Sequence, residues 1–464
     1  MRSTYSKVAV AVAAALGAGS ALAATNPNYS LSLNVAGSSA MRDAVINEFT
    51  SVLCQSGTVA GPFVSAKEAP GTESPDFRAL TCTLAAPSTL VGTVVAVYYR
   101  SEGGSVFGIF GNPFLNGGTA LPINRLNIGA AGGAQPTSFG IQENVAQLVS
   151  DTQISNEGAI VKDTVDLGVS DVEPQALIGE NYGSEYATTA TPAGFIPYAT
   201  PSKATLQAIP KFGTVIGEVY APVVSNAAGG TAGFKDTSGI TTTNKGLTSQ
   251  ELASIYSGNV TDWSLVPSAA AAGATAPAPI TICRRDAGSG TQTVTSTHFL
   301  GTNCSTGGLP FVTAATAPSG VTVVTNYATG DVLNCVNGTP GAIGLVTLQP
   351  ASKYTAANAT QIAVDGITGS AITSAQGQYT YYGEAYFIKN TTVTGNKATL
   401  IAKVVSDLQS ANNTPTSAAD PNLVALPAYN APFSPVTPLA SGQKIPIAIG
   451  TTAGNVCSPL VDQL

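Results

Sequence analysis

The stretch Thr281–Phe299, TICRRDAGSGTQTVTSTHF, sets two adjacent arginines and an aspartate directly before Gly-Ser-Gly-Thr in a chain with little charge. A short apolar run leads into the arginines. Apolar and hydroxyl residues follow the glycines at helical spacing. The pattern is strand, glycine loop, helix. A loop of this kind presents backbone N–H groups at a helix N-terminus, which favours an anion there.

The same order recurs along the chain. In NYSLSLNVAGSSAMRDAVINEFTSVL, Ser30–Val35 alternates like a strand and Ala36–Ala40 is a small-residue turn. A helix over Met41–Leu53 then puts Met41, Ala44, Val45, Phe49 and Val52 on one face. Val91–Tyr99 reads as a fully apolar strand followed by the loop Arg100–Ser105. Val165–Val169 is a short strand ending in Ser170-Asp171, and Ile209–Asn226 is β-rich. The segment around Thr248 reads as a capped helix, with Thr248 or Ser249 as N-cap and Glu251 as capping-box partner of Thr248. Leu252, Ile255 and Tyr256 lie on its inner face. Ala342–Thr347 and Tyr379–Asn390 contain further strands, and Asn396–Ser410 is an amphipathic helix. Residues 111–140 look like an irregular surface insertion, and Ser268–Pro279 reads as a low-complexity loop. Strands alternating with helices imply an α/β protein with largely parallel sheets.

Composition narrows the class. The chain has 464 residues, enough for two or three domain-sized units, and is 44% hydrophobic. Only 10% of residues are Asp, Glu, Lys or Arg, and the net charge is −7. A basic footprint for nucleic acid is absent. The N-terminus MRSTYSKVAVAVAAALGAGSALAA carries Arg2 and Lys7, then a short apolar run, then Ala21-Leu22-Ala23. This is the layout of a secretory signal peptide, with cleavage expected after Ala23. The run is too short to span a bilayer, and no cysteine sits at the cleavage point to take a lipid. The expected compartment is the periplasm or the exterior, with a cleaved signal peptide over 1–23 and no lipid anchor.

Six cysteines follow: Cys54, Cys82, Cys283, Cys304, Cys335 and Cys457. An even count in an exported chain reads as disulfides, and fifteen connectivities are open. Cys54–Cys82 is the natural local pair and Cys283–Cys304 a reasonable second. Metal binding is the weaker alternative, because there is no C-x-x-C and His298 is the single histidine.

In open α/β sheets, ligands bind outside the carboxyl ends of the strands. Those ends carry Ser38, Ser39, Ser105, Asp171, Arg285 and Gly288–Thr291. Hydroxyls, loop N–H groups and the planar fork of an arginine suit a small oxyanion. A carboxylate such as Asp171 fits only if the anion brings a proton, which would favour hydrogen phosphate over sulfate. Each residue also has a plainer reading. Arg285 could cap a helix at the surface or pair with Asp286, Asp171 could be an N-cap, and Arg284 fits a structural or surface charge. Hydrolase chemistry is poorly supported. G-x-S-x-G around Ser289 would need glycine at 287 and 291, where Ala287 and Thr291 stand. His298, mid-helix and about two turns from Ser289, reads as a packed or surface residue. No catalytic residues, metal ligands or cofactor are expected.

These residues resemble the phosphate-binding proteins of bacterial ABC phosphate importers, which are type II periplasmic binding proteins. VDLGVSDVEP (165–174) looks like the family's strand ending in a ligand aspartate. FGTVIGEVYAPVVSN (212–226) is similar to its segment crossing into the second lobe. LTSQELASIYSGNVTDW (247–263) is close to its helix and Trp turn. RRDAGSGT (284–291) resembles its anion site, and GAIGLVTLQPA (341–351) and EAYFIKN (384–390) look like framework strands. The resemblance implies a two-lobed fold, each lobe a largely parallel mixed sheet flanked by helices. Lobe one would be 24–211 plus 376–464, lobe two 212–375, with a crossing near Phe212–Glu218. It implies Arg285, Ser289, Gly290 and Thr291 as second-lobe ligands and Asp171 as acceptor of the phosphate proton. Ser38, Ser39 and Ser105 are the first-lobe candidates. The implied partners are inorganic phosphate or a related oxyanion and an ABC permease in the inner membrane, the protein acting as a monomer. Two departures stand out. Ala287 occupies the place where the family sets an aspartate beside the arginine, with Asp286 one position early. The segments at about 54–90 and 111–160 are extra. A fold kept for an extracellular interaction or structural role, or a secreted phosphatase, remain the alternatives.

Overall fold

A computed structural model describes residues 28–64, 77–101, 103–110, 122–126, 128, 160–181, 201–212, 216–226, 246–271, 274–301, 308–326, 328–349, 351–356, 358–375, 377–409 and short pieces at 423–425, 437–438 and 444–445. The signal-peptide segment, Cys304 and Cys457 lie outside these residues. The fold is mixed α/β. Its first wing begins with strand β1 (Leu31–Gly37) and helix α1 (Arg42–Glu48). The wing continues through β2 (Ala60–Val64), β3 (Phe77–Thr83), β4 (Val94–Arg100) and helix α2 (Ser105–Phe110). A strand pair, β5 (Pro122–Leu126) and β6 (Ile160–Thr164), precedes β7 (Leu167–Ser170).

The long strand β8 (Ile216–Ser225) opens the second wing. Helix α3 (Ser249–Tyr256), β9 (Ile280–Arg285), helix α4 (Gly290–Leu300), β10 (Val321–Asn326), helix α5 (Thr329–Val336), β11 (Ala342–Thr347) and β12 (Ala359–Gln361) complete it. Strand β13 (Tyr382–Lys389) then returns to the first wing, and helix α6 (Gly395–Leu408) packs there. Among the described residues, one sheet runs β10-β9-β11-β8-β13-β7-β1-β4-β3-β2. The middle of each wing is parallel: β7–β1–β4 on one side and β10–β9–β11 on the other. The wings meet where β8 and β13 run antiparallel, Tyr382 opposite Val219 through Ala385 opposite Ile216. Strand β13 also pairs with β7, and β8 with β11, so these two strands tie the wings together.

The cores follow this division. Leu33, Val35, Val45, Phe49, Val95, Val97, Leu400 and Val404 form the core of the first wing. Leu252, Ile255, Tyr256, Trp263, Ile280, Ile282 and Ile343 centre the core of the second, which extends to Val106 and Val172 at the junction. Strand β4 is buried on both faces, as its apolar run VVAVYY requires. Helix α3 starts on the expected capping box: Glu251 N–H donates to Thr248 Oγ1 at 3.1 Å, and Thr248 N–H to Glu251 Oε2 at 2.8 Å. Trp263 seals the base of this wing, its indole donating to the Gly341 carbonyl at 2.9 Å.

Several expectations are corrected. Val52 does not face the core; it is 51% exposed and Leu53 is buried instead. The chain leaves α-helical geometry at Phe49–Leu53 for a π-turn, with Cys54 N–H bonded to the Phe49 carbonyl five residues back. That extra residue rotates the inner face by one position. Ser268–Pro279 is not all loop, because Pro267–Ala271 is a short helix with Ala269 in the core. Proline at its first position and alanines after it favour that turn. The extra segment at 54–90 extends the sheet by the antiparallel strands β2 and β3. In the region 111–160 the strand β5 pairs with β6. Leu126 and Ile128 pack on Phe77, Ala79, Ala96 and Tyr98, and Arg125 lies 4.0 Å over the Tyr98 ring.

Cys54 and Cys82 are bridged as expected, but Cys283 pairs with Cys335, not Cys304. Helix α5 packs on β9 and β11, so Cys335 lies against Cys283 beside Val332 and Val336. Tertiary packing overrides nearness in sequence here. Closing the 52-residue span between these cysteines restricts the unfolded chain by about 4 kcal/mol. Peptide mapping without reduction should recover a Cys283–Cys335 cross-link. The double variant Cys283→Ser/Cys335→Ser should lose stability of about that size in denaturant melts.

Candidate functional site

Four strand ends and one helix start converge where the wings meet. Strand β1 delivers Ser38 and Ser39, β4 leads to Ser101 and Ser105, β7 ends before Asp171, and β9 ends in Arg285 ahead of α4. Parallel strands in a wing point their carboxyl ends the same way, so these loops share one edge of the molecule. All of the expected residues are brought together and buried: Ser38, Ser39, Ser105, Asp171, Arg285, Ser289, Gly290 and Thr291.

Arg285 is 2% exposed. Its Nη1 donates to Ser39 Oγ at 2.9 Å, across from the other wing. Ser39 Oγ in turn lies 3.2 Å from Thr329 Oγ1 at the start of α5. Asp286 is fully buried with Oδ1 3.7 Å from Arg285 Nε. The arginine thus keeps an acidic neighbour although the sequence places it one position early. Arg284 is structural: it donates to the carbonyls of Arg285 and Val312 and stacks 4.8 Å over Phe311.

The loop after β9 is set by its caps. Ser289 is the N-cap of α4, its Oγ accepting from Gln292 N–H at 3.4 Å. The serine's own hydroxyl proton is not used by this bond. The first N–H groups of α4 have no partner within the helix. His298 sits in the last turn of α4 and not mid-helix, against the rings of Phe299 and Tyr381 at 4.7 and 5.2 Å. Burial drives its pKa down to about 4, so it is neutral at physiological pH. Among the described residues, no group of three His, Cys, Asp or Glu side chains could hold a metal ion.

On the first wing, Ser38 Oγ accepts from the N–H groups of Ala40 and Met41, both at 3.0 Å. Its backbone N–H is taken by the Val169 carbonyl, and its carbonyl accepts from Tyr99 Oη at 2.6 Å. Ser38 therefore offers a site its hydroxyl proton alone. Ser105 Oγ accepts from Asp171 N–H at 2.9 Å, fixing the β7 turn to the start of α2. Thr291 Oγ1 donates to Asp171 Oδ2 at 3.4 Å from the opposite wing.

Two carboxyl groups occupy the back of this cluster. Asp171 is 1% exposed, and burial raises its pKa against the opposing pull of Ser38, Arg285 and Ser105. Beside it lies Glu218 on β8, fully buried, with Tyr220 Oη donating to Glu218 Oε2 at 3.0 Å. Burial, and then the negative charge of Asp171, push Glu218 well above the usual carboxylate range. Glu218 escaped the sequence reading. The available signal was an acidic residue within the largely apolar strand IGEVYAPVVS, where burial without a purpose is costly.

The wings are in direct contact at the site. Val106 N–H donates to the Gly288 carbonyl and Gly288 N–H to the Asn181 carbonyl, both at 3.0 Å. A Cβ on Gly104 would stand 3.0 Å from Ser289 Cα. A Cβ on Gly290 would stand 2.4 Å from Ser105 Oγ and 2.5 Å from Asp171 Cβ. Gly290 is thus required for the wings to meet. Gly290→Ala should hold them apart, at a cost of about 1–3 kcal/mol for the overpacked form. Small-angle scattering should give a larger radius of gyration than the unsubstituted protein; an unchanged radius would contradict the close approach.

Residues 222–405 match the family model described as a PBP superfamily domain. No curated protein matches the sequence. Several solved structures are similar. One is a putative phosphate ABC transporter substrate-binding protein from Clostridium perfringens, at 12% identity over 85% of this chain and 100% of that one, with a TM-score of 0.42. Another is the high-affinity periplasmic phosphate-binding protein PfluDING, at 14% identity over 86% and 91%, TM-score 0.43. A third is a phosphate-binding protein from Stenotrophomonas maltophilia, at 12% identity over 85% and 99%, TM-score 0.37. The matched segment runs from the middle of β8 through the second wing to β13 and into α6, and its likeness to a PBP superfamily domain is confined to those residues.

Proposed function

We propose that the protein is an exported solute-binding protein that captures inorganic phosphate, or a closely similar tetrahedral oxyanion, between its two wings. Its ligands would be Arg285, the hydroxyls of Ser38, Ser39, Ser105, Ser289 and Thr291, and the N–H groups of Gly290 and Thr291. The observation that carries this reading is the convergence of Arg285, Ser39, Ser105, Thr291 and Asp171 from separate segments into one buried cluster. Charge-assisted bonds from a guanidinium and a ring of neutral donors suit a small anion. Among these donors Asp171 accepts a proton that hydrogen phosphate carries and sulfate lacks, which is a basis for discrimination.

In this reading, 24–211 with 376–464 forms one lobe and 212–375 the other, closing on the anion about the β8 and β13 crossing. The signal-peptide layout of residues 1–23 places the mature protein in the periplasm or outside the cell, and delivery to an ABC permease is the transport role that follows. Among the described residues no helix is long and apolar enough to cross a membrane.

Calorimetric titration of the purified mature protein with phosphate, arsenate, molybdate and sulfate tests the reading. Saturable phosphate binding with sulfate excluded is expected, and no binding of any of the four anions would end it. Arg285→Ala should weaken phosphate binding about 100-fold or more, since each charged hydrogen bond contributes about 1.5–3 kcal/mol. Asp171→Asn replaces an obligate acceptor with a group that also donates, so it should admit sulfate. Sulfate exclusion that persists in that variant would remove Asp171 from the discriminating role.

A further inference from the structure

Glu218 has no place in the ligand set above, yet it is a fully buried acid against a buried acid. Asp171 Oδ1 and Glu218 Oε1 are both shielded from solvent and have no hydrogen-bond partner at normal geometry among the described residues. The two carboxyls are nonetheless close enough that each perturbs the other. Among the described residues, the cations near the pair are Arg285 and, beside Tyr99 and bonded to Ser101 Oγ, Arg42. Tyr220, on the same strand, donates to the other Glu218 oxygen. Tyr99 from β4 is a neutral phenol, bonded to the Ser38 carbonyl. Strand β13 places Gly383, without a side chain, opposite Glu218. Arg285 acts on Asp171 and has Asp286 beside it. With both carboxyls ionised, Arg285 would answer Asp171 and Asp286 while Glu218 kept an uncompensated charge against Asp171, and an incoming anion would add more. Two adjacent buried carboxyls resolve this by sharing a proton, which supplies a donor to one orphaned oxygen and an acceptor to the other.

We infer that Asp171 and Glu218 hold one proton between them, and that Glu218 thereby determines the charge state of the oxyanion the cleft admits. This rests on the phosphate reading for its ligand, but the shared proton is a property of the protein itself. With the pair carrying a single negative charge, the cleft takes the anion together with its proton. When the pair loses its own proton at high pH, the anion is repelled. Glu218 is a specificity-determining residue that acts through Asp171. Glu218→Gln mimics the protonated acid in size and in its ability to donate to Asp171, and it cannot ionise.

Three measurements separate the possibilities. Difference infrared spectroscopy of the mature protein at neutral pH, against Glu218→Gln, should show one protonated carboxyl that the variant lacks; its absence overturns the inference whatever the protein binds. Thermal melts give a second readout that needs no ligand. A folded-state pKa raised above the unfolded one costs stability as pH rises above the unfolded value. Glu218→Gln should therefore melt higher than the unsubstituted protein at pH 7–8, the two converging near pH 4, and a variant that is less stable at both would count against the shared proton. Phosphate titrations from pH 6 to 9 then test the selecting role. Affinity of the unsubstituted protein should fall at the alkaline end by about tenfold more than that of Glu218→Gln, and parallel profiles would overturn it. A protonated carboxyl in a protein that binds no oxyanion would leave the proton pair standing and refute the phosphate reading and the selecting role.

Discussion

The guanidinium of Arg285 brings a planar cationic fork to a position 2% exposed between two wings of the molecule. A buried charge is tolerated only when it is paired and hydrogen-bonded. Asp286 stands beside its Nε, and Ser39 from the opposite wing accepts from its Nη1. The second of these contacts exists only when the wings meet. The same arginine therefore places a charge at the site and links one half of the fold to the other. Gly104 and Gly290 let the flanking loops come close enough for the link to form.

Opposite the arginine, the strands that join the wings bring acids to the same point. Strand β8 runs through the junction, its first residues paired with β13 and its later ones with β11, and the fully buried Glu218 lies in the β13-paired part. Asp171 comes from the end of β7, which β13 pairs with directly. The connection between the halves and the acidic wall of the site are thus built from one set of ladders. The distance from Arg285 to this wall is therefore set by how the wings meet, and the energy of the charges depends on that distance.

Much of this is local and legible in the residues. The strand–loop–helix order at 281–299 and 30–53, the capping box at Thr248 and Glu251, and the hydroxyl and arginine content of the strand ends follow from periodicity and turn chemistry. Each of the eight residues singled out from the strand ends is in the buried cluster. What stayed hidden has long-range causes. The rotation of the first helix that exposes Val52 comes from a π-turn that periodicity does not signal. The partner of Cys283 depends on where helix α5 lands. The slip of Asp286 against Ala287 left open whether the arginine keeps an acidic neighbour, and in three dimensions Asp286 Oδ1 lies 3.7 Å from Arg285 Nε.

The sequence alone determined the class of the fold and the identity of the polar groups at the strand ends, because both follow from short-range patterns: alternation, helical period, caps, and the chemistry of side chains there. Only the tertiary structure decided which of those groups meet and in what electrical state. Glu218 lies 47 positions from Asp171 and reads as one acid in an apolar strand. Its pairing with that aspartate arises from strand register and burial, and the energy of a charge depends on what surrounds it in space.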